Sequence, residues 1–394
     1  MKVLIVTHFY PPEPAAAANR VASLVTALSA AGNDVTVVTN FPSFPRGRFA
    51  EGARPFQRVE ESGRTRVVRL WSWLPQKLPG ARLLHWLTAA LSASAYATFT
   101  RERYDVVLIS APPITLALPA IVASLRHRAK LVVDVRDVFP DIAIAMGAWK
   151  KDALLTRCVE FVARTLYRRA SLVVAVTPTA IAQIAERGIP ASRLMLARNA
   201  AERSDVVRPP ARDENGFVAI YAGNLGLATD VDVLLDAAGL LAEDCIKIEI
   251  VGDGAQRARL DERVRNESLR NVVVRGSVPR LDAMAMVARA DVCVIPLRKG
   301  IEESVPTKLY DALAVGCPVV VAAAGEARRE GESLGMPCTP PGDAQALAAT
   351  LRQLAELEDN ALRRLGESGR NRVEGRADRA GIMDELVGRI AALA

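Results

Sequence analysis

The sequence predicts an α/β protein built from two doubly wound domains, each a parallel sheet covered by helices on both faces. Its length of 394 residues is comfortable for two domains. Strand and helix patterns alternate along the whole chain, which is typical of parallel sheets. A polar, Pro-containing segment at residues 203–216 is the best candidate for a linker. Half of the residues are hydrophobic, so two large cores can form.

The individual elements follow from short apolar runs separated by turn residues. In the first half we predict strands at residues 3–6, 35–39, 67–70, 106–109, 131–134 and 172–176, with a helix at 19–31 that Gly32 ends. In the second half we predict strands at residues 217–221, 246–251, 272–274, 292–295 and 318–321, with a helix at 231–241. The domains expected from this pattern are 1–203 and 204–375, and an amphipathic helix at 378–393 lies in a tail of residues 376–394. Parallel sheets arranged in this way bind ligands at a central cleft.

The charge is distributed unevenly. Residues 1–199 hold 26 Lys and Arg against 13 Asp and Glu, whereas the remainder holds 25 against 31. The first half therefore either meets an anionic partner or carries Arg on ordinary solvated faces. A membrane surface fits better than nucleic acid, because no basic helix of the groove-reading kind is present. Trp71, Trp73 and Trp86, among Leu, Lys and Arg, suit a membrane interface, although for Trp86 taken alone a helix packed on the sheet is the slightly favoured explanation.

Cysteine and histidine usage argues against a metal centre. The five Cys are scattered without metal-binding spacing, and most lie in apolar runs, which predicts reduced core residues. The three His are far apart in sequence. No N-terminal secretion signal is visible, because a strand begins at Lys2. We expect a cytoplasmic protein without a cofactor or metal, associated peripherally with the inner face of the membrane.

The segment from Glu303 to Asp311 is the most informative one. These two carboxylates lie eight positions apart, and between them Pro306 opens a predicted helix whose first turns carry Lys308. Free N–H groups at a helix N-terminus beside a Lys suit a phosphate or diphosphate. The flanking carboxylates could hold hydroxyls of the molecule that carries the diphosphate. A nucleotide sugar fits this description.

Glycine-rich turns follow two predicted strands of the second half. Gly223-Asn224-Leu225-Gly226 and Val251-Gly252-Asp253-Gly254 would let the backbone approach a phosphate, although ordinary tight turns explain them as well. The following segment, Arg275–Val278, could read a nucleotide base with its backbone. In the first half, four charged residues follow a buried strand in Asp134–Asp141, where catalytic groups collect in parallel sheets.

These motifs, in this order and followed by Gly316-Cys317-Pro318-Val319-Val320, resemble the retaining glycosyltransferases of family 4, which have the GT-B fold of two Rossmann-like domains. The Pro306-Thr307-Lys308 insert resembles the subgroup that builds surface polysaccharides and lipid-linked glycans. The resemblance implies catalytic roles for Asp137, Lys308 and Glu303. It implies donor binding by Gly223, Asn224, Gly252, Arg275, Val278, Arg298, Ser304, Pro306, Thr307 and Asp311. It implies acceptor binding by Glu13, Asn19, Arg20 and Arg136, and no metal ligands.

The chain departs from the family pattern at three places. Asp311 stands where the family has Glu, and Ala17-Ala18 stand where many relatives have Gly-Gly. Most relatives carry an Arg and a Lys at the positions of Asn224 and Thr229. The negative charge of the diphosphate would then be neutralised by Lys308, by Arg298 or Lys299, and by helix N-termini.

The function predicted from the sequence is transfer of a sugar with retention, from a nucleotide sugar to a hydroxyl of a glycan or lipid-linked acceptor. UDP-sugars are favoured, with guanosine open. Asp137 would orient or deprotonate the acceptor hydroxyl. The alternatives are a nucleotide-sugar 2-epimerase, a transferase with a soluble small-molecule acceptor, and a dinucleotide-binding protein. The last would require Gly-x-Gly-x-x-Gly after the first strand, where the chain has His8-Phe9-Tyr10-Pro11-Pro12.

Overall fold

The computed structural model describes residues 1–13, 15–43, 47, 49, 56–75, 81–201 and 216–393. The chain divides into two compact units: unit 1 is Met1–Arg198 with Ala380–Ala394, and unit 2 is Asn199–Arg379. The expected domain limits, 203 and 376, lie a few residues from these. The segment expected to be a linker lies outside the described residues, apart from Gly216.

Within the described ranges, unit 1 is built on an eight-stranded sheet of order β3-β4-β2-β1-β5-β6-β7-β8. The strands are β1 (Lys2–Thr7), β2 (Asp34–Asn40), β3 (Gln57–Ser62), β4 (Thr65–Leu70), β5 (Val106–Ala111), β6 (Lys130–Val135), β7 (Leu172–Ala175) and β8 (Leu194–Leu196). All pairs are parallel except β3 with β4. The helices are α1 (Ala16–Ala30), α2 (Ala81–Phe99), α3 (Ala117–His127), α4 (Asp141–Ala145), α5 (Leu154–Arg169) and α6 (Pro178–Glu186).

Unit 2 has a parallel sheet of order β11-β10-β9-β12-β13-β14, six strands in the part that the structure describes. The strands are β9 (Phe217–Ala222), β10 (Ile246–Val251), β11 (Val272–Arg275), β12 (Val292–Pro296), β13 (Val319–Ala322) and β14 (Cys338–Thr339). The helices are α7 (Asp232–Leu240), α8 (Arg257–Asn266), α9 (Arg280–Arg289), α10 (Thr307–Ala314), α11 (Gly325–Ser333), α12 (Ala344–Ala355) and α13 (Asp359–Arg376).

The last helix, α14 (Arg379–Ala391), packs into unit 1. Alternation along β1 explains how unit 1 builds two cores, because successive side chains point to opposite faces of a sheet. Leu4 and Val6 join the core under α2, α3, α5 and α6, whereas Val3 and Ile5 join the core under α1 and α14. Both faces of the sheet are therefore covered, which confirms the doubly wound architecture.

The sequence analysis did not predict three of the strands: β3, β8 and β14. All six residues of β3 are exposed, so the strand lacks the apolar pattern that marks the others. Helix α1 begins at Ala16, three residues before the predicted start.

The prediction of buried cysteines is wrong for Cys158 and Cys245, which are exposed. No helix in the described part of the chain is both long and apolar enough to cross a membrane.

Candidate active site

In unit 2, the Lys308 ammonium is held at the carboxyl end of strand β9. Its Nζ donates to the phenolic oxygen of Tyr221 at 2.6 Å and lies 4.0 Å from the centroid of that ring. The Tyr221 hydroxyl in turn donates to the backbone carbonyl of Asn224 at 2.7 Å. Because a phenol has a single proton and Asn224 takes it, the Tyr221 oxygen is left as an acceptor for Lys308. Tyr221 is fully buried, so it fixes the position of the cation.

Two glycines make the approach of Lys308 and of the neighbouring turns possible. A Cβ on Gly223 would lie 2.7 Å from Lys308 Nζ, and a Cβ on Gly252 would lie 1.9 Å from the Gly223 carbonyl oxygen. Both residues have the positive φ that favours glycine, 151° and 146°. The Gly223 N–H donates to the Val251 carbonyl at 2.9 Å. The turns after β9 and β10 therefore interlock, and bare backbone lies beside Lys308.

The loop before helix α10 is fixed from both sides. Pro306 is the N-cap of this helix, so the helix begins one residue later than predicted. Asn199 donates its side-chain N–H to the Val305 carbonyl at 3.1 Å. The Glu326 N–H donates to the Glu302 carbonyl at 2.6 Å. Within this loop and the first turn, the predicted site residues are all half-buried: Glu303, Ser304, Pro306, Thr307 and Lys308.

The second carboxylate of the motif, Asp311, has a partner that the sequence analysis missed. Arg280, the first residue of α9, donates from Nη2 to Asp311 Oδ1 at 3.2 Å. The Asp311 side chain is 12% exposed, so a hydroxyl could share the carboxylate only through its remaining accessible edge. Arg280 thus orients Asp311, and no sequence signal pointed to it, since the two residues are 31 positions apart.

The segment predicted to face a nucleotide base is held by Arg257. This residue donates to the backbone carbonyls of Gly252, Val274 and Arg275, at 3.2 and 3.1 Å for the first two. The Arg275 side chain pairs with Glu249 at 3.2 Å. Val278 is half-buried in the loop that follows. Side chains therefore stabilise the backbone at the ends of β10 and β11, while the Arg275 guanidinium remains half-exposed.

Arg298 lies next to the turn where the family pattern has a Lys and this chain has Thr229. The Arg298 N–H donates to the Ala228 carbonyl at 3.1 Å, and its Nη2 donates to Gln256 Oε1 at 3.3 Å. Gln256 also donates to the Thr229 carbonyl at 3.1 Å. Desolvation raises the pKa of Asp230 beside this turn, an effect that Arg298 opposes. Arg298, which follows strand β12, therefore places a positive charge beside Thr229, the position where most relatives have a Lys.

In unit 1, Arg136 and Asp137 follow strand β6. The Arg136 N–H donates to the Ala111 carbonyl at 3.0 Å, and its Nη2 donates to the Pro112 carbonyl at 3.2 Å. Desolvation by the surrounding protein raises the pKa of the Asp137 carboxyl, and the Arg136 charge opposes this effect. Desolvation also lowers the pKa of Arg136. A carboxylate whose pKa is raised in this way is a better proton acceptor than an ordinary surface Asp.

Arg20, expected to bind an acceptor, is engaged inside unit 1. Its Nε donates to Asp134 Oδ2 at 3.0 Å and its Nη2 to Asp134 Oδ1 at 2.9 Å. The carbonyls of Ala197 and Arg198 accept from Nη2 and Nη1 at 3.0 and 3.1 Å. Both members of the pair are buried, at 7% and 3% side-chain exposure. Every nitrogen of the guanidinium is used, so we correct the assignment of Arg20 to a structural ion pair.

This correction makes a prediction about stability. Arg20→Ala leaves Asp134 as an uncompensated buried charge, so we expect a loss of about 3–5 kcal/mol in the free energy of unfolding, measured by urea denaturation. The control is Arg64→Ala, which breaks the exposed pair of Arg64 with Asp34 (57% and 56% side-chain exposure) and should cost less than about 1 kcal/mol. Equal stability losses in the two variants would show that the Arg20 pair is not structural.

The remaining predicted acceptor residues lie in and after the loop that follows β1. Glu13 is buried and accepts the Ser43 N–H at 2.9 Å. Asn19 is half-buried on α1, where its N–H donates to the Ala15 carbonyl at 3.1 Å. Glu13 therefore anchors two loops, and Asn19 keeps a partly accessible side chain on the first turn of α1.

Two histidines that are far apart in sequence meet in unit 1. The ring centroids of His8 and His85 are 5.0 Å apart, and His8 Nδ1 lies 2.7 Å from Asn40 Nδ2. Burial lowers the pKa of His8 to about 3, with His85 and Arg136 acting in the same direction. His8 is therefore neutral at physiological pH. Among the described residues, no group of three or more His, Cys, Asp or Glu could hold a metal ion.

Comparison with known proteins matches both halves of the chain to glycosyltransferase family models. Residues 15–200 match the family model described as "Glycosyl transferase 4-like domain", and residues 216–357 match "Glycosyl transferases group 1". WcaI of Escherichia coli (strain K12), named as a colanic acid biosynthesis glycosyl transferase, is 25% identical over 378 residues, which are 90% of this chain and 92% of that protein. The glycosyltransferase WbjE of Pseudomonas aeruginosa is 26% identical, over 67% of this chain and 70% of its own.

Solved structures show the same fold. Sucrose-phosphate synthase from Thermosynechococcus elongatus aligns with a TM-score of 0.76 at 20% identity, over 100% of both chains. HepE of Anabaena, solved in complex with UDP-glucose, aligns with a TM-score of 0.71 at 18% identity, also over 100% of both chains. The two doubly wound units, together with these matches, show that the chain has the GT-B fold. The chain belongs to the family 4 glycosyltransferases, which confirms the resemblance seen in its motifs.

Proposed function

We propose that the protein transfers a sugar, with retention of anomeric configuration, from a nucleoside diphosphate sugar to a hydroxyl of a glycan or lipid-linked acceptor in surface-polysaccharide biosynthesis. The observation that carries this proposal is the Lys308 ammonium, which Tyr221 holds against the bare Gly223 backbone. A fixed cation beside a strand-end turn without side chains, close to the start of a helix, suits a diphosphate. The curated relatives named for colanic acid support the polysaccharide pathway.

The departing diphosphate is the group that needs electrostatic help. Lys308 and the free N–H groups at the start of α10 are placed in advance, so they stabilise the developing negative charge without reorganising. Arg298 supplies the second cation, because it stands beside Thr229 where the family pattern has a Lys. Glu303 and Asp311 bind hydroxyls of the sugar or ribose. We favour uridine as the base, and the UDP bound to HepE supports this choice.

The acceptor hydroxyl is assigned to unit 1. Asp137 stands at the carboxyl end of β6, and the raised pKa of its carboxyl suits a group that orients or deprotonates a hydroxyl. Arg136 and Asn19 remain candidates for contacts with the acceptor, whereas the hydrogen bonds of Arg20 and Glu13 stabilise the fold of unit 1.

Diphosphate handling by protein groups makes a prediction about metals. Since Lys308, Arg298 and backbone N–H groups carry the charge, transfer should continue in excess EDTA at an unchanged rate, measured by release of the nucleoside diphosphate. The control is the same assay with added Mg²⁺, which should change the rate less than about twofold. A rate that collapses on chelation and returns with Mg²⁺ or Mn²⁺ would contradict this assignment.

The proposal is tested with a panel of UDP-glucose, UDP-galactose, UDP-N-acetylglucosamine and GDP-mannose. The correct donor at a hundredfold excess over its Kd should stabilise the protein by about 2.7 kcal/mol, seen as a rise in Tm. Transfer to glycolipid extracts and to soluble sugars is then compared, and the anomeric configuration of the product is read by NMR. An inverted product refutes retention. Turnover on soluble sugars alone would assign the enzyme to a small-molecule acceptor.

A further inference from the structure

The outward side of helix α2 lacks the charges that a solvated helix normally carries. Leu83, Leu87 and Leu91 recur every fourth position, so they share one face of the helix. They are 47%, 44% and 60% exposed. Residues 83–100 contain no Asp, Glu, Lys or Arg. The outer face of this 19-residue helix is therefore both exposed and uncharged.

Two neighbouring helices also expose large apolar side chains, although α5 carries charged residues among them. Leu118 and Leu125 of α3 are two turns apart and are 47% and 60% exposed. On α5, Leu154, Leu155 and Phe161 are 77%, 52% and 72% exposed. Helix α3 packs against both α2 and α5, and all three cover the same core. We call the exposed apolar side chains of these three helices the outer apolar face.

Positive charge surrounds the outer apolar face. Residues 81–130 hold six Lys and Arg against two Asp and Glu, and residues 150–169 also hold six against two. Arg157 and Arg168 are exposed on α5 beside its apolar side chains. Arg103 and Arg126 border the far end, where the Arg126 carbonyl accepts from Arg103 Nη1 at 3.0 Å and Arg126 Nε donates to the Thr98 carbonyl at 3.4 Å.

Tryptophans lie next to the first turns of α2. Trp71 and Trp73 are 37% and 47% exposed. The Trp73 N–H donates to the hydroxyl oxygen of Thr88 on α2 at 2.9 Å, which ties this segment to the helix. Tryptophan is enriched where protein meets the headgroup region of a bilayer. Lys77, which the sequence placed in the same patch, lies outside the described residues.

We propose that the outer apolar face of unit 1 is a docking surface for an anionic lipid bilayer. Single exposed leucines are common, but apolar side chains grouped over three adjacent helices mark an interaction site. Shallow insertion of leucines and aromatic residues gives the apolar contribution, and the surrounding Arg side chains are attracted to anionic headgroups. This combination fits a bilayer better than a protein partner.

The position of the outer apolar face also relates membrane docking to a lipid-linked acceptor, an inference that rests on the proposed function. Crossover helices in a doubly wound sheet run opposite to the strands, so α2 and α5 begin near the carboxyl ends of the strands. Asp137 follows the carboxyl end of β6. A bilayer on the outer apolar face would therefore present a lipid-linked glycan close to the sheet edge that carries Asp137.

The experiment is co-sedimentation with vesicles of phosphatidylglycerol and phosphatidylcholine, without any sugar nucleotide. Wild-type binding should rise with the phosphatidylglycerol fraction and fall when salt is raised from about 0.1 to about 0.5 M. The double variant Leu87→Glu with Leu91→Glu should bind at least about tenfold more weakly. The matched control is Leu240→Glu with Leu281→Glu, two exposed leucines of unit 2 (46% and 73%), which should bind like wild type.

A second variant keeps the test independent of the apolar substitutions. Arg157→Gln with Arg168→Gln should reduce binding to phosphatidylglycerol vesicles several-fold and keep the wild-type Tm, because both side chains are exposed. A wild-type protein that ignores anionic vesicles at low salt overturns the proposal. A second outcome would also overturn it. In that outcome neither protein binds vesicles, and analytical ultracentrifugation shows a wild-type dimer that the double leucine variant converts to a monomer. Vesicle binding without sugar transfer would instead contradict the proposed function alone.

Discussion

Replacing Lys308 with Met should lower kcat/KM for the nucleotide sugar by about a hundredfold or more. Met keeps much of the side-chain volume above the Tyr221 ring, so the pocket stays filled while the positive charge is lost. The loss should fall mainly on kcat, because the ammonium is placed to stabilise the charge that develops on the departing diphosphate. Steady-state kinetics with saturating acceptor measure this effect.

The matched control for this prediction is Lys247→Met. Lys247 is an exposed residue of strand β10, near its amino end and away from the strand ends that carry the site. Its loss should leave kcat/KM within about twofold of wild type. The assignment of Lys308 to the diphosphate fails if a correctly folded Lys308→Met enzyme keeps activity within a few-fold of wild type.

Asp137→Asn should lower kcat/KM by about a hundredfold or more, because the amide can neither take a proton nor accept as strong a hydrogen bond. The raised pKa of Asp137 fixes the sign of the stability effect. Its ionised form is disfavoured in the folded protein, so this group lowers the free energy of unfolding as pH rises through the interval between its unfolded and folded pKa values. At neutral pH the Asn variant should therefore melt at the wild-type temperature or above it.

The pH profile and a nearby control sharpen this test. Both proposed roles of Asp137 need the ionised carboxylate, so the acid limb of kcat/KM should lie above the usual Asp value of 3.8. Asp141→Asn removes the same charge four residues later. Asp141 pairs with Arg187, and in the variant Arg187 still has a second carboxylate partner, Glu160, at 2.9 Å. The Asp141→Asn variant should therefore retain turnover, and its free energy of unfolding should fall by about 1 kcal/mol or less. If Asp137→Asn loses stability and keeps its activity, the carboxylate is structural.

The architecture was predictable because parallel strands are buried on both faces. Such strands appear in sequence as unbroken apolar runs, and β12 and β13 are entirely buried. Strand β3 gives no such signal, because all of its residues are exposed at the edge of the sheet. The prediction therefore found the interior strands and missed those whose pairing depends on the hairpin turn or on a neighbouring edge.

The site was predictable only where its signal is local. Lys308 and the glycine turns stand in short motifs, but their supports are remote in sequence. Tyr221 lies 87 positions from Lys308 and looks like any aromatic residue of a buried strand. Arg20 looks like a polar residue on a solvated helix, yet its carboxylate partner is 114 positions away. Three-dimensional proximity, which the linear pattern does not encode, decides these roles.

The return of α14 to unit 1 determines the order in which the chain can fold during synthesis. Met383, Leu386 and Ile390 are buried in the same core as Val3 and Ile5. A nascent chain that ends at Arg198 therefore has α1 but not α14 over that side of its first sheet, which stays only partly covered until residues 379–391 have been synthesised. Unit 2 is a continuous segment and can finish folding earlier, which reverses the usual order in which N-terminal domains fold first. A fragment that stops at residue 198 should aggregate when expressed, whereas residues 199–379 are the piece to express alone.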